Sequence, residues 1–225
     1  MSLAYRFGCA AIRTALNIRP LADRLSTFSR VWSRHSRIYR HLKVANYDGV
    51  IDGGANVGEF AGLVRSALPN ADLVCVEPHP GCAAALRAAG YRVVEAALWH
   101  SAGKLTLAQA TEATTSCSVM SVTSDPKGTW VVESICLDDV PICGSKLLLK
   151  LDLQGAEIEA FKGMNSLWNR IIAVISEVSL GNSGNYEQVR GELDSRGYHE
   201  ASTLNELEAN GRTIEADKLW IKTSA

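Results

Sequence analysis

From Tyr47 onward the chain alternates short apolar runs with segments of helical periodicity. Residues 50–51, 72–76, 92–94, 146–151 and 171–176 are dominated by Val, Leu and Ile. Such unbroken runs suit strands covered on both faces of a parallel sheet. Between them, 57–68, 81–89 and 156–168 read as helices; in the first, Val57, Phe60, Ala61, Val64 and Leu68 form a buried face. The alternation predicts an α/β fold, a mostly parallel sheet with helices on both faces. Right-handed crossovers bring every parallel strand's carboxyl end to one rim, where such sheets bind ligands. Asp52, Glu77, Asp152 and Glu177 each close a run and fall on that rim.

Two stretches depart from the alternation. Residues 103–108 and 130–137 read as extra strands, and the Ser/Thr-rich 109–129 between them as a long loop of the kind that carries function. A helix near 185–196 ends at Gly197, followed by a strand near Tyr198 and a closing strand over 218–222. Ahead of Tyr47, residues 3–18 form a weakly amphipathic helix and Pro20 opens a stronger one over 20–43. Leu21, Leu25, Phe28, Trp32, Ile38, Tyr39 and Leu42 fall near one face of the latter. The expected organisation is a helical extension, 1–46, and an α/β domain, 47–225.

Composition narrows the function classes. With 225 residues, 47% apolar and 21% charged, the chain builds one sizeable core and is neither disordered nor repetitive. Its net charge of −1 divides unevenly: residues 1–46 hold nine Lys/Arg against one acid, Asp23, and the rest is acidic. The basic helix has three placements: packed on the sheet or over the site as a lid, at a homodimer contact, or on an anionic membrane surface. Packing is the expectation, because an apolar helical stripe is usually core. The acidic body and the lack of an aromatic–basic RNA motif argue against nucleic acid. No run reaches the roughly 20 apolar residues that span a bilayer, and no secretory signal is recognisable. None of the six cysteines forms a C-x-x-C pair, which disfavours zinc and disulfides and fits a reducing cytoplasm.

The segment V50-I-D-G-G-A-N-V-G-E-F60 joins a strand to a helix. Its glycines allow close backbone approach, and a helix N-terminus favours an anion. Asn56 is the expected N-cap, with Glu59 at the capping-box position. The glycine spacing does not match the dinucleotide fingerprint, which disfavours a nicotinamide-dependent dehydrogenase. The order acid-x-Gly-x-Asn-x-Gly is instead similar to the first motif of S-adenosylmethionine-dependent methyltransferases. Glu77 lies 25 residues beyond Asp52, where a strand-end carboxylate can accept both hydroxyls of a ribose. Pro78 and Pro80 hold the turn after it.

From about Val50 to Ile221 the chain resembles the FkbM-type methyltransferases. The pieces that carry the resemblance are I51-D-G-G-A-N-V-G58, V76-E-P-H-P80, E95-A-A-L-W99 with G103-K-L-T-L107, L137-D-D139, K150-L-D-L-Q-G-A-E157, I175-S-E-V178 and D217-K-L-W-I221. The chain departs from the commoner pattern at Gln154, where Glu is frequent, and at Gly53, where an apolar residue is usual. The resemblance implies a Rossmann-like fold, a seven-stranded sheet with its last strand antiparallel, and O-methylation of a hydroxylated small molecule such as a sugar or secondary metabolite. It implies S-adenosylmethionine contacts from Asp52, Gly53, Gly54, Ala55, Asn56 and Gly58, from Glu77 with Pro78 and His79, and from Ala97 and Leu98 near the adenine.

Moving a methyl group to an alcohol requires in-line alignment and a base near the hydroxyl. Asp152 is the leading candidate, with His100 and His79 as alternatives. Lys150 shares the strand face of Asp152 and can pair with it or with Glu177. Glu157 and Glu177 are candidate substrate contacts. A Mg²⁺ on Asp152 and Glu177 is conceivable chemistry, but no third ligand is evident and no metal is expected. A non-catalytic protein that only binds the cofactor is the competing reading.

Overall fold

The computed structural model describes residues 35–109, 117–118, 128–181 and 184–223. The predicted helix over 3–18, the first part of the 20–43 helix and most of the 109–129 loop lie outside the described residues.

Helix α1 (35–44) precedes β1 (Gly49–Gly53), α2 (Glu59–Ala67), β2 (Asp72–Val76), α3 (Pro80–Ala88) and β3 (Arg92–Val94). Strands β4 (Ala97–Leu98), β5 (Gly103–Gln109), β6 (Cys117–Ser118) and β7 (Gly128–Ile135) follow, then β8 (Leu147–Leu151), α4 (Glu157–Lys162), β9 (Ile171–Ser179), α5 (Tyr186–Ser195), β10 (Tyr198–Ala209) and β11 (Arg212–Lys222). The main sheet has the order β10-β11-β9-β8-β1-β2-β3. Strands β3, β2, β1, β8 and β9 run parallel, and β11 is antiparallel to both of its neighbours. This is the expected seven-stranded Rossmann-like sheet.

Both faces of the sheet are covered, so its central strands are apolar throughout. Along β8, Leu147, Leu149 and Leu151 join a core with Phe161, Trp168 and Trp220, while Leu148 joins the opposite core with Phe60 and Val64. Ile38 and Leu42 of α1 pack into this second core and are buried. The described part of the basic helix therefore packs on the sheet, as its apolar stripe predicts.

Three differences from the sequence reading have physical causes. The 103–108 and 130–137 runs are strands, but they pair with each other and with β4 and β6 in a separate four-stranded sheet, β4-β7-β5-β6. The helix expected over 156–168 ends after six residues at Gly163, where a Cβ would collide with the carbonyl oxygen of Trp99; a 3-10 turn, Ser166–Asn169, replaces the rest. The short strands expected near Tyr198 and 218–222 are ends of a long hairpin. Asn210 (φ 52°) and Gly211 (φ 72°) form its two-residue turn, with left-handed backbone at both positions.

Candidate active site

The strand register builds the site. Parallel pairing sets Leu151 beside Ser176, so Asp152 and Glu177 emerge side by side at the carboxyl rim of β8 and β9. In the antiparallel ladder Asp217 of β11 lies directly opposite Glu177. Three carboxylates thus stand in a row across three adjacent strands. They form one wall of a cleft of about 490 Å³, a size typical of small-molecule sites. Glu215 and Leu207 from the hairpin extend this wall, and Gly54, Ala55, Asn56 and Val57 form the opposite lip. His35 and Ile38 of α1 and Glu59 and Phe60 of α2 close one side. Val76, Glu77, Pro78, Ala96, Ala97, Leu98 and Leu107 make a mostly apolar end.

The loop after β1 differs from the expected cap. Gly58 (φ 91°) is the N-cap of α2 and no side chain caps the helix. Asn56 takes a left-handed backbone (φ 48°), which turns its N–H toward Glu77 at 2.7 Å from Oε2. The other carboxylate oxygen, Oε1, accepts from the N–H of His79 at 2.8 Å. Glu77 is thereby fixed in orientation, with lone pairs left to accept a diol. Burial pushes its carboxyl above the ordinary value, and the two backbone donors oppose that shift.

Asp52 and Lys150 lie deeper. Asp52 is fully buried and does not line the cleft. The Lys150 ammonium is 3.3 Å from Asp52 Oδ1 and 3.7 Å from Asp152 Oδ2, and donates to the carbonyl of Gly54 at 3.1 Å. Burial works against its charge, but the Asp52 and Asp152 carboxylates outweigh it and hold the ammonium above the usual lysine range. Lys150 is therefore a permanent cation that ties the glycine loop to β8, not a proton acceptor. Gly54 (φ 71°) has no room for a side chain, because a Cβ would collide with the carbonyl oxygen of Asp152.

Asp152 and Glu177 are joined by Gln154, whose Nε2 donates to Asp152 Oδ1 and Glu177 Oε2, both at 2.9 Å. Burial, the charge of Asp152 and its hydrogen bond push the Glu177 carboxyl up to about 9, with smaller contributions from Asp217 and Glu215. Among the described residues no group of three His, Cys, Asp or Glu is arranged to hold a metal ion.

The structure brings most of the predicted residues together: Gly54, Ala55, Asn56, Glu77, Pro78, Ala97, Leu98, Lys150, Asp152 and Glu177 all line the cleft. Gly53 and Gly58 are in the loop's turn, behind the lining. His79 caps α3 and packs edge-on against Trp130, with ring centroids 5.0 Å apart. His100 lies outside the lining, with Nδ1 2.8 Å from Glu159 Oε2. Glu157 is also elsewhere: it is buried, accepts from Leu153 N–H and Asn185 Nδ2, and braces the turn before α4. The sequence reading gave no role to Asp217, Glu215 or Leu207. Their signal was the Asn210-Gly211 dipeptide, which marks a hairpin and folds that strand back beside Glu177.

Comparisons with known proteins agree with this architecture. The Methyltransferase FkbM domain matches residues 52–200. The O-MT segment of StiE, residues 961–1257, superposes with a TM-score of 0.54 at 11% identity, covering 95% of this chain and 82% of that one. The precorrin-6y C5,15-methyltransferase of Geobacter metallireducens GS-15 gives 0.49 at 13% identity, covering 85% and 87%. A TehB-like SAM-dependent methyltransferase from Corynebacterium glutamicum ATCC 13032 Kitasato gives 0.46 at 8% identity, covering 90% and 96%. No curated protein matches the chain. The StiE likeness speaks to fold alone, but the domain match spans the glycine loop, Glu77, the Lys150–Glu157 segment and Glu177, and on that ground the chain belongs to the FkbM methyltransferase domain family.

Proposed function

We propose that the protein transfers a methyl group from S-adenosylmethionine to a hydroxyl of a small acceptor. The carrying observation is that one cleft holds both ends of the chemistry. Glu77, oriented by Asn56 and His79, offers a diol acceptor at one end, and Asp152, Glu177 and Asp217 form a row of carboxylates at the other. The cofactor supplies a methyl group on a positively charged sulfur. Glu77 would take its ribose hydroxyls, Ala97, Leu98 and Leu107 would cover its base, and the backbone of Gly54–Asn56 would border its amino-acid part. The row of carboxylates suits a cationic sulfur.

Oxygen is the favoured acceptor atom because a hydroxyl must lose a proton, and Asp152 is a carboxylate at the cleft wall able to take it. His100 and Lys150 drop out as bases, the first by position and the second by its fixed charge. Around the acceptor half, Asp152, Glu177, Glu215 and Asp217 face one cation, Lys150, which is already paired. This favours a neutral polyol or a cation over a phosphate or carboxylate.

The test is S-adenosylhomocysteine release from S-adenosylmethionine across a panel of hydroxylated metabolites, beside calorimetric binding of both nucleosides. Glu77→Ala should weaken binding of both by about tenfold or more, as expected for loss of a charged hydrogen-bond acceptor. Asp152→Asn should bind normally and turn over about 100-fold more slowly. A protein that binds the nucleosides and releases no product with any acceptor would be a binding protein instead.

A further inference from the structure

We propose that Gln154 fastens Asp152 and Glu177 into a single proton-holding pair, which gives up its proton when a sulfonium enters the cleft and takes the acceptor's hydroxyl proton as the methyl group is transferred. The inference rests on the methyltransferase reading above and adds a positioning residue and a proton inventory to it.

The geometry comes first. One amide nitrogen donates to both carboxyl groups at 2.9 Å, and no other residue on the page touches the two together. Gln154 reaches that place by a left-handed backbone (φ 53°) in the turn after β8, a conformation that non-glycine residues adopt seldom. The turn is braced from beneath by Glu157, which accepts from the N–H of Leu153 at 2.9 Å. The bridging amide is therefore held by the backbone and does not depend on a chance rotamer.

Two carboxyl groups so joined do not both carry charge in a half-buried site; they share one proton. The surroundings decide its place. Lys150 approaches Asp152 from β8, at 3.7 Å from Oδ2, and favours the charged form there. Asp217 stands opposite Glu177 from β11, with Glu215 two positions before it, and both favour the neutral form of Glu177. Glu157, at the start of α4, adds negative charge on the Asp152 side. Across the cleft the titratable groups are His35 of α1, Glu59 of α2 and Glu77 after β2, and from β10 the lining contributes the apolar Leu207. In the ligand-free protein the proton belongs on Glu177.

A fixed positive charge in the cleft does what that proton does: it neutralises the row. Its arrival lets the pair ionise fully, and a fully ionised pair is a stronger base than one that already holds a proton. The transfer step then balances. The oxygen–hydrogen bond of the acceptor breaks and its proton goes to Asp152. The oxygen lone pair forms the new bond to the methyl carbon, and the carbon–sulfur electron pair returns to sulfur. The positive charge of the sulfur disappears as the pair regains its proton, so the net charge of the cleft is the same before and after.

Calorimetry of the full chain near pH 7.5, in buffers of different ionisation enthalpy, counts the protons released on binding. S-Adenosylmethionine should release about one proton more than S-adenosylhomocysteine, since only the former carries the sulfonium. Glu177→Gln should bind both nucleosides and abolish the difference. Gln154→Ala, a change at an exposed position, should retain binding and reduce the difference to less than half. Equal release for the two nucleosides in the unmodified protein overturns the proposal while leaving the methyltransferase reading intact. An undiminished difference in Gln154→Ala overturns the role of Gln154. If neither nucleoside binds, the methyltransferase reading falls and this proposal with it.

Discussion

Lys150 shows how much one residue carries here. It is buried with two carboxylates and two loop carbonyls around its ammonium, at the meeting of β1, β8 and the glycine loop. Removing it leaves Asp52 as an uncompensated charge with no water contact. Lys150→Met should cost about 3–5 kcal/mol in urea denaturation, and Asp52→Asn added to it should recover most of the loss. If Lys150→Met alone is as stable as the parent, Asp52 is not charged in the folded protein. Gly54→Ala should act through a different route. The new Cβ meets the carbonyl oxygen of Asp152, so the loop must shift away from β8, and nucleoside affinity should fall more than thermal stability does. Paired thermal scans and binding titrations separate the two effects.

At the scale of elements, the hairpin of β10 and β11 is the part most exposed to prediction. Its turn depends on left-handed backbone at Asn210 and Gly211, and Gly211→Val should destabilise the protein by about 1–2 kcal/mol, measured by denaturation. The strand-end acids and the sheet were legible in the sequence because buried parallel strands are unbroken apolar runs, as in 146–151, and cannot be mistaken for loops. The hairpin was not, since β10 is largely exposed and its residues 205–209 mix Asn, Glu and Leu without clear alternation. Half of the acceptor wall, Glu215 and Asp217, was hidden with it. The early end of α4 was also beyond reach. Its helical pattern continues to Trp168, and only the approach of Trp99 from a distant part of the chain stops it at Gly163. Asn56 was misread for a related reason: a capping-box sequence is a local signal, and the pull of Glu77 on its N–H is not.

The whole molecule should register the acidic cleft in its pH dependence. Glu177 binds its proton more tightly in the folded chain than its ordinary value of 4.5 allows, up to about 9. Between those values the folded state holds more protons than the unfolded one, so stability falls as pH rises through that window. Asp48 acts at the other end. Its carboxylate accepts the N–H groups of Ser145 and Lys146 and lies below its ordinary value, so its contribution is lost as pH falls into the acid range. Melting temperature followed from pH 6 to 9 should decline in the parent protein and stay flatter in Glu177→Gln; parallel declines would mean that Glu177 titrates as an ordinary surface acid. Sheet order has a further consequence for how the chain matures. Strand β11 is inserted between β9 and β10, which precede it in the sequence. During synthesis β9 therefore presents a bare edge, and β10 has nowhere to dock, until residues 212–222 have left the ribosome. A nascent polypeptide halted before that point is an adhesive intermediate with its ligand wall half assembled, and chaperones have to shield it for that interval.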